Sequence, residues 1–214
     1  FDRNIGGEVR EFGVSGLLYN SNVLMYDRQK DAAKESLWSQ MMLAAVVGPA
    51  AEAGLELELL PAQLTTWESW LAKYPETTSL SFDTGHVRNY DGNPYEGYFS
   101  SPRLMFPAKP KGEPAADAEM LPAKEPTIIV AIGGDLKGYP VSRLREALGQ
   151  TKKVADEFHG ISLVFTAVDE ANTTFEVHDD KGQAVPVAFS FWFEFRAAHP
   201  KADVFGSARA TPPQ

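Results

Sequence analysis

ELLPAQLTTWESWLAKYPETTSL (residues 58–80) and QAVPVAFSFWFEFRAAHPKADVF (residues 183–205) are the two passages whose comparison decides the fold. They lie 125 residues apart, with Pro61, Trp67 and Pro75 standing opposite Pro186, Trp192 and Pro200. Leu64, Trp70 and Leu80 likewise stand opposite Phe189, Phe195 and Phe205. Self-similarity at one fixed spacing predicts two copies of a single supersecondary unit. In the first passage Leu64, Trp67, Leu71 and Tyr74 recur at helical spacing, behind a cap at Thr65 or Thr66 and ahead of the helix-stopping Pro75. Residues 77–82 read as the strand that follows. The second passage keeps the order, with a turn at Asp180-Lys181-Gly182, a proline, an aromatic segment and then His199-Pro200. The spacing predicts a helix there as well, although FSFWFEF also has the propensity of a strand. Both helices are expected to pack their tryptophans on a core.

Outward from these passages the punctuation is that of short strands. Residues 9–19 and 23–26 are rich in β-branched and aromatic side chains and meet at Asn20-Ser21-Asn22, where Asn suits a tight turn. Residues 36–40 form a third candidate strand, and Leu55, Leu57 and Leu59 alternate with Glu56 and Glu58 in the period-two pattern of another. Farther on, residues 127–132 read as a buried strand, Gly133-Gly134-Asp135 as a turn, and residues 141–148 as a helix after Tyr139-Pro140. Residues 161–168 and 173–178 make a strand pair. Residues 109–126 carry Pro110, Pro114, Pro122 and Pro126 among Ala, Glu and Lys, a composition that buries little apolar surface and suits an extended linker. The expected class is therefore α+β: two related lobes from an internal duplication, each a mostly antiparallel sheet with one aromatic helix. The first lobe spans residues 1–108 as an N-terminally incomplete repeat, the linker 109–126, the second lobe 127–208, and a frayed tail 209–214.

Composition excludes several function classes. A chain of 214 residues with 43% apolar residues can bury a sizeable core. Its formal charge of −9, with basic residues scattered, is the wrong sign for a phosphate-backbone partner, so no nucleic acid is expected. The absence of cysteine removes disulfides, thiolate zinc sites and a cysteine nucleophile. No stretch reaches the roughly 18 apolar residues of a membrane span. The chain opens on Phe1 rather than Met, which leads to the expectation that something stands upstream in the gene product.

Two stretches hold the polar residues from which a site could be built. In the first, Asp27 beside Arg28, with Glu35 following, can position a ligand carboxylate or hydroxyl, or can simply tie a hairpin down. Trp38, between Ser36 and Gln40, is either a stacking platform or a core residue. The second is residues 83–95, where Asp83, His86 and Arg88 can form an acid/base couple with an anion holder. A long loop on a rigid scaffold is a common place for function. Its polar groups can equally satisfy one another. Asp83-Thr84-Gly85 is shared with aspartic proteases, whose dyad needs two copies, and the chain has one. Asp91-Gly92-Asn93 lacks the spacing and terminal Glu of a calcium loop. His86, His159, His178 and His199 show no metal-type pairing. Gly133-Gly134 belongs to neither a phosphate-binding nor a dinucleotide pattern and reads as a plain turn. No cofactor and no metal are expected.

FGVSGLLYNSNVLMYDRQ (12–29), ESLWSQ (35–40), LLPAQLTTWESW (59–70), DTGHVRNYDGNPYEGYFSSP (83–102), GGDLKGYP (133–140) and FWFEFRAAHP (191–200) together resemble the domain of unknown function 3179 family. The resemblance runs across nearly the whole chain. It implies an exported protein, periplasmic or extracellular, and it brings no settled activity with it. Family members usually carry a first Gly-Gly…Tyr-Pro unit and a Cys-Pro-Leu motif ahead of the Phe-Asp-Arg that stands here at residues 1–3. Only the second such unit, Gly133 to Pro140 by position, is present.

Two functions follow as expectations. One is a non-catalytic exported binding or accessory module in a larger assembly, using Tyr90, Tyr95, Tyr98 and Phe99 at an interface where aromatics supply contact area. The other is an enzyme on a small polar substrate, with Asp27, Arg28 and Glu35 facing Asp83, His86 and Arg88. An enzyme requires these residues to converge in one concavity, whereas a module predicts exposed aromatics and locally paired polar groups.

Overall fold

A computed structural model describes residues 1–93, 95–109 and 121–206. Most of the expected linker, residues 110–120, and the expected tail lie outside the described residues. The chain folds mostly into antiparallel sheets with a few short helices, an α+β arrangement.

The first half begins with a short hairpin, β1 (Asn4–Ile5) and β2 (Glu8–Val9). A four-stranded antiparallel sheet follows, made of β3 (Phe12–Tyr19), β4 (Asn22–Asp27), β5 (Leu37–Ser39) and β6 (Ala44–Val47) in sequential order. Asn20 and Ser21 both take positive φ, 49° and 70°, which is what a two-residue turn needs to match the strands' twist. One short turn of helix, α1 (Pro49–Glu52), packs on β6. Ile5, Trp38, Ala50 and Leu57 form the core of this half. Two segments expected as strands are not strands. Among the described residues, 55–59 make a single bridge, Glu56 to Ala44; they are tied by the Leu57 N–H to the Leu43 carbonyl at 2.7 Å, and Leu57 alone of the three leucines is buried. Residues 77–82 have no partner strand among the described residues, and Leu80 and Phe82 are 97% and 72% exposed. Alternation supplied the pattern there, but no neighbour completes a ladder. Next in the chain come α2 (Trp67–Lys73), which precedes that segment, and α3 (Glu96–Ser100).

The second half has two sheets. β7 (Pro126–Ile132) turns back through Gly133 and Gly134, at φ 63° and 86°, into β8 (Asp135–Pro140). After α4 (Val141–Ala147), the strands β9 (Lys153–Phe158), β10 (Ile161–Ala167) and β11 (Phe175–Asp179) pair antiparallel in the order β11-β10-β9. β12 (Val187–Phe191) leads directly into α5 (Trp192–Ala198), so the segment FSFWFEF is strand first and helix second. Finally β13 (Asp203–Val204) joins β8 in parallel, giving a sheet ordered β12-β7-β8-β13. This sheet is covered on both faces, which is why Ile128, Ile129 and Val130 are consecutive buried residues rather than alternating ones. Ile128, Val130 and Tyr139 face a core shared with Leu144, Leu163, Phe165 and Val177. Ile129 faces Trp192, Phe195 and Val204. Gly138 is needed beneath α5, since a Cβ there would lie 2.4 Å from the Phe195 ring.

The helices α2 and α5 share local geometry. Each has seven residues. Their N-caps, Thr66 and Phe191, have φ/ψ of −79°/152° and −85°/153°, and their C-caps, Tyr74 and His199, have −132°/71° and −130°/68°. Pro61 and Pro186 form an isolated antiparallel bridge with each other. The burial of the two helices differs. Trp192 is 2% exposed, whereas Trp67 and Trp70 are 54% and 39% exposed, so the expectation of a core beneath both helices fails for α2. Among the described residues no helix is long and apolar enough to cross a membrane.

Candidate functional site

Asp27 ends β4 with no exposed surface. Its carboxylate accepts from the Arg10 guanidinium, from the Ser36 N–H at 2.5 Å and from the Gln29 side chain at 3.4 Å. The Arg10 guanidinium also sits 5.7 Å from the centroid of Trp38, which is fully buried edge-on to Phe12. Arg28 turns away onto the Tyr26 ring, and Glu35 closes a 3-10 turn over Ala32–Lys34 through its backbone N–H. Of the open readings for this stretch, the geometry is that of a tie holding the hairpin, with Trp38 in the core.

Asp83, His86 and Arg88 lie on an exposed segment whose bonds are local. The Asp83 N–H donates to Ser81 Oγ, the His86 N–H to Thr84 Oγ1, and Thr84 Oγ1 meets Tyr90 OH at 2.6 Å. Among the described residues no bond joins these three side chains to one another or to Asp27, Arg28 and Glu35. None of the six lines the three clefts described below. Tyr90 and Tyr95 are exposed, while Tyr98 lies under the Lys124 ammonium, 3.4 Å from its ring centroid.

The attachment of α2 is unusual for an amphipathic helix. Its polar side grips the second half of the chain. Ser69 Oγ donates to the Val168 carbonyl at 3.1 Å, Thr65 Oγ1 to Glu176 at 3.1 Å, and Lys73 Nζ pairs with Glu176 Oε2 at 2.5 Å. Just before the helix, the Gln63 amide takes the place of a strand beside β11, accepting from the Val177 N–H at 2.9 Å and donating to its carbonyl at 2.5 Å. Trp67, Trp70 and Tyr74 therefore turn outward, with Trp70 and Tyr74 in ring contact at 4.5 Å. Farther along the chain Leu80, Phe82, Val87, Phe99, Met105 and Phe106 are exposed as well.

A third constellation escaped sequence reasoning. Lys137 and Tyr139 on β8 meet Asp156 on β9: Lys137 Nζ lies 2.6 Å from Asp156 Oδ2, and Tyr139 OH donates to the same oxygen at 2.8 Å. Tyr139 is fully buried against Phe165 and Phe205. Burial first, then the Asp156 bond and charge, push its hydroxyl far above the ordinary phenol range. The signal was available in the period of the strands. Lys137 and Tyr139 are two apart, and Val154-Ala155-Asp156-Glu157-Phe158 sets a carboxylate on the face of two buried apolar residues.

A cleft of about 660 Å³ opens over this cluster, lined also by Phe158, His159 and Phe205. A second, about 620 Å³, adjoins it across His159 and Asp203. His159 Nε2 stands 3.1 Å from Asp135 there. The third, about 760 Å³, lies between the halves, with Asn4, Glu56, Gly133 and His199 on its walls. His199 Nε2 donates to the Met41 carbonyl at 2.5 Å, and burial lowers its pKa against the opposing pull of that bond. Among the described residues no three His, Asp or Glu side chains converge as a metal site.

No curated protein and no solved structure shows significant similarity to the chain. Its sequence does match one family across most of its length: over residues 1–202 it fits the family described as "Protein of unknown function (DUF3179)", and the chain belongs to that family.

Proposed function

We propose that this protein is a non-catalytic exported binding module, a peripheral subunit of a larger assembly, which docks through the outward aromatic face of α2. The carrying observation is the contrast between two helices of the same geometry. α5 lays Trp192 and Phe195 on a sheet, while α2 is held by its polar side and leaves Trp67, Trp70 and Tyr74 uncovered. A helix ordinarily buries its apolar stripe, and contiguous exposed aromatics rimmed by polar groups mark interaction surfaces. The matched caps, the bridge between Pro61 and Pro186 and the 125-residue spacing support an internal duplication into two related lobes. On that reading the partner of α2 is a protein presenting an apolar sheet face, as β7 and β8 do for α5, with a small residue where an aromatic ring must approach the backbone. The periplasmic or extracellular setting is carried by the resemblance in sequence. An enzyme working between Asp27, Arg28, Glu35 and Asp83, His86, Arg88 is less well supported, because Asp27 is already bound by Arg10 and Ser36.

The test is isolation of the tagged chain from the envelope and medium of its source, with native mass spectrometry of wild type and of the W67D/W70D double variant. The proposal expects a stoichiometric heterocomplex for wild type, its loss in the variant, and a free variant that still unfolds cooperatively, at a cost of about 1–2 kcal/mol per tryptophan. A monomer in both samples, or a complex indifferent to the two substitutions, contradicts it.

A further inference from the structure

We propose that the cleft over Lys137 and Asp156 is a binding site for a neutral polyhydroxylated ligand, a saccharide that presents a vicinal diol to these two residues. The inference is independent of the docking surface on α2. It starts from an expense within the fold. Lysine is almost never buried unless paired, and a buried ion pair is commonly no more stabilising than apolar residues of similar volume. Lys137 is nevertheless nine-tenths buried, and Asp156 shares its strand face with Val154 and Phe158, where apolar residues would complete the core. Both open onto a cleft, and a polar cluster kept at a cavity wall is a candidate site on physical grounds.

The unused bonding capacity of the cluster names the ligand. An ammonium has three N–H groups. Lys137 directs one at Asp156 Oδ2, which also receives the Tyr139 hydroxyl; Asp156 Oδ1 has no bonded partner among the described residues. The floor therefore offers N–H donors and a carboxylate acceptor side by side. Adjacent hydroxyls satisfy both, since each accepts and donates. Charge narrows the choice. Asp135, Glu157 and Asp203 border the paired clefts, against Lys201 and, beside Phe205 and Gly206, Arg143, so the acidic groups outnumber the basic ones and the mouth does not favour an anionic ligand. A cationic ligand meets Lys137 at the floor. A neutral ring remains, and Phe158 and Phe205 supply carbon-rich walls for its C–H face.

The experiment titrates the whole chain, isotope-labelled, with methyl glycosides of glucose, galactose, mannose and xylose, and separately with leucine and inorganic phosphate. Saturable binding of at least one glycoside is expected, with shifts concentrated at residues 137, 156–159 and 205. Affinity should fall about tenfold or more in K137M and in D156N, because hydrogen bonds to charged groups are lost. If either variant fails to fold, the wild-type shift map decides, and shifts placed elsewhere overturn the proposal. Absence of saturable binding by every glycoside overturns it, and so does preference for leucine or phosphate.

Discussion

Replacing Trp192 and Trp67 by alanine, one at a time, should give unequal losses of stability. A tryptophan side chain buries about 200 Å² when fully enclosed, which at about 25 cal/mol per Å² corresponds to about 5 kcal/mol. Compactness of the unfolded chain reduces that figure by roughly 10–40%. Trp192 is buried in one cluster with Met41, Ile129, Phe195 and Val204. A loss of about 3–5 kcal/mol is expected for W192A. Trp67 keeps 54% of its surface in water, so less than half of that area is at stake. The ceiling for W67A is about 2 kcal/mol and the expected loss about 1 kcal/mol. Urea unfolding followed by far-ultraviolet circular dichroism reads both, with the midpoint shift converted at constant slope. Equal losses would mean that α2 has its own core beneath it and would remove the basis for a docking face.

Further outcomes follow from individual contacts. D27A leaves Arg10 only the exposed Glu8 among the described residues, at 3.8 Å, and removes the acceptor from the Ser36 N–H, at a cost of about 3–5 kcal/mol in the same urea assay; a loss below about 1 kcal/mol would contradict the buried tie. G138A drives a methyl into the Phe195 ring at 2.4 Å and should cost about 1–3 kcal/mol by thermal melting, unless α5 does not lie on β8. His199 has a folded pKa below its ordinary value, so the unfolded chain takes up a proton near pH 6.5 before the folded chain does. Its contribution is full above about pH 6.5 and is lost as pH falls through the lower folded value, by at most about 1.4 kcal/mol per unit. H199Q keeps a donor for the Met41 carbonyl without titrating, so its stability should fall less than that of wild type between pH 7 and 5; parallel curves would exclude His199 as the source.

The sequence was most legible where local chemistry is self-sufficient. Asn20 announced its turn because Asn tolerates positive φ, and Ser21 beside it takes the same sign. Thr66 does cap α2, its side chain accepting from the Ser69 N–H, and Pro75 follows the helix end as its rigid ring predicts. The strands at 126–132 and 161–167 declared themselves by apolar runs of the right length. What stayed hidden depends on distant neighbours. Leu80 and Phe82 have strand alternation but, among the described residues, no partner strand. The direction in which α2 faces is fixed by Glu176, over a hundred residues away, and not by its own periodicity. Asp27 could be read as ligand-binding because its true partner, Arg10, is separated from it by a full hairpin strand. Asp83, His86 and Arg88 share a loop in sequence, yet proximity along an exposed chain does not aim side chains at one point. Lys137 and Asp156 showed the opposite case, two ordinary surface-type residues made unusual only by the sheet that encloses them.

The most direct test of the central claim is site-specific photo-crosslinking from position 67 in the producing organism, with a control at Val14 on β3, which is more exposed than Trp67. The account predicts a discrete adduct from position 67 to a strand segment of another polypeptide, and none of comparable yield from position 14. Adducts only within residues 1–206 of the same chain, or the same pattern from both positions, would contradict it.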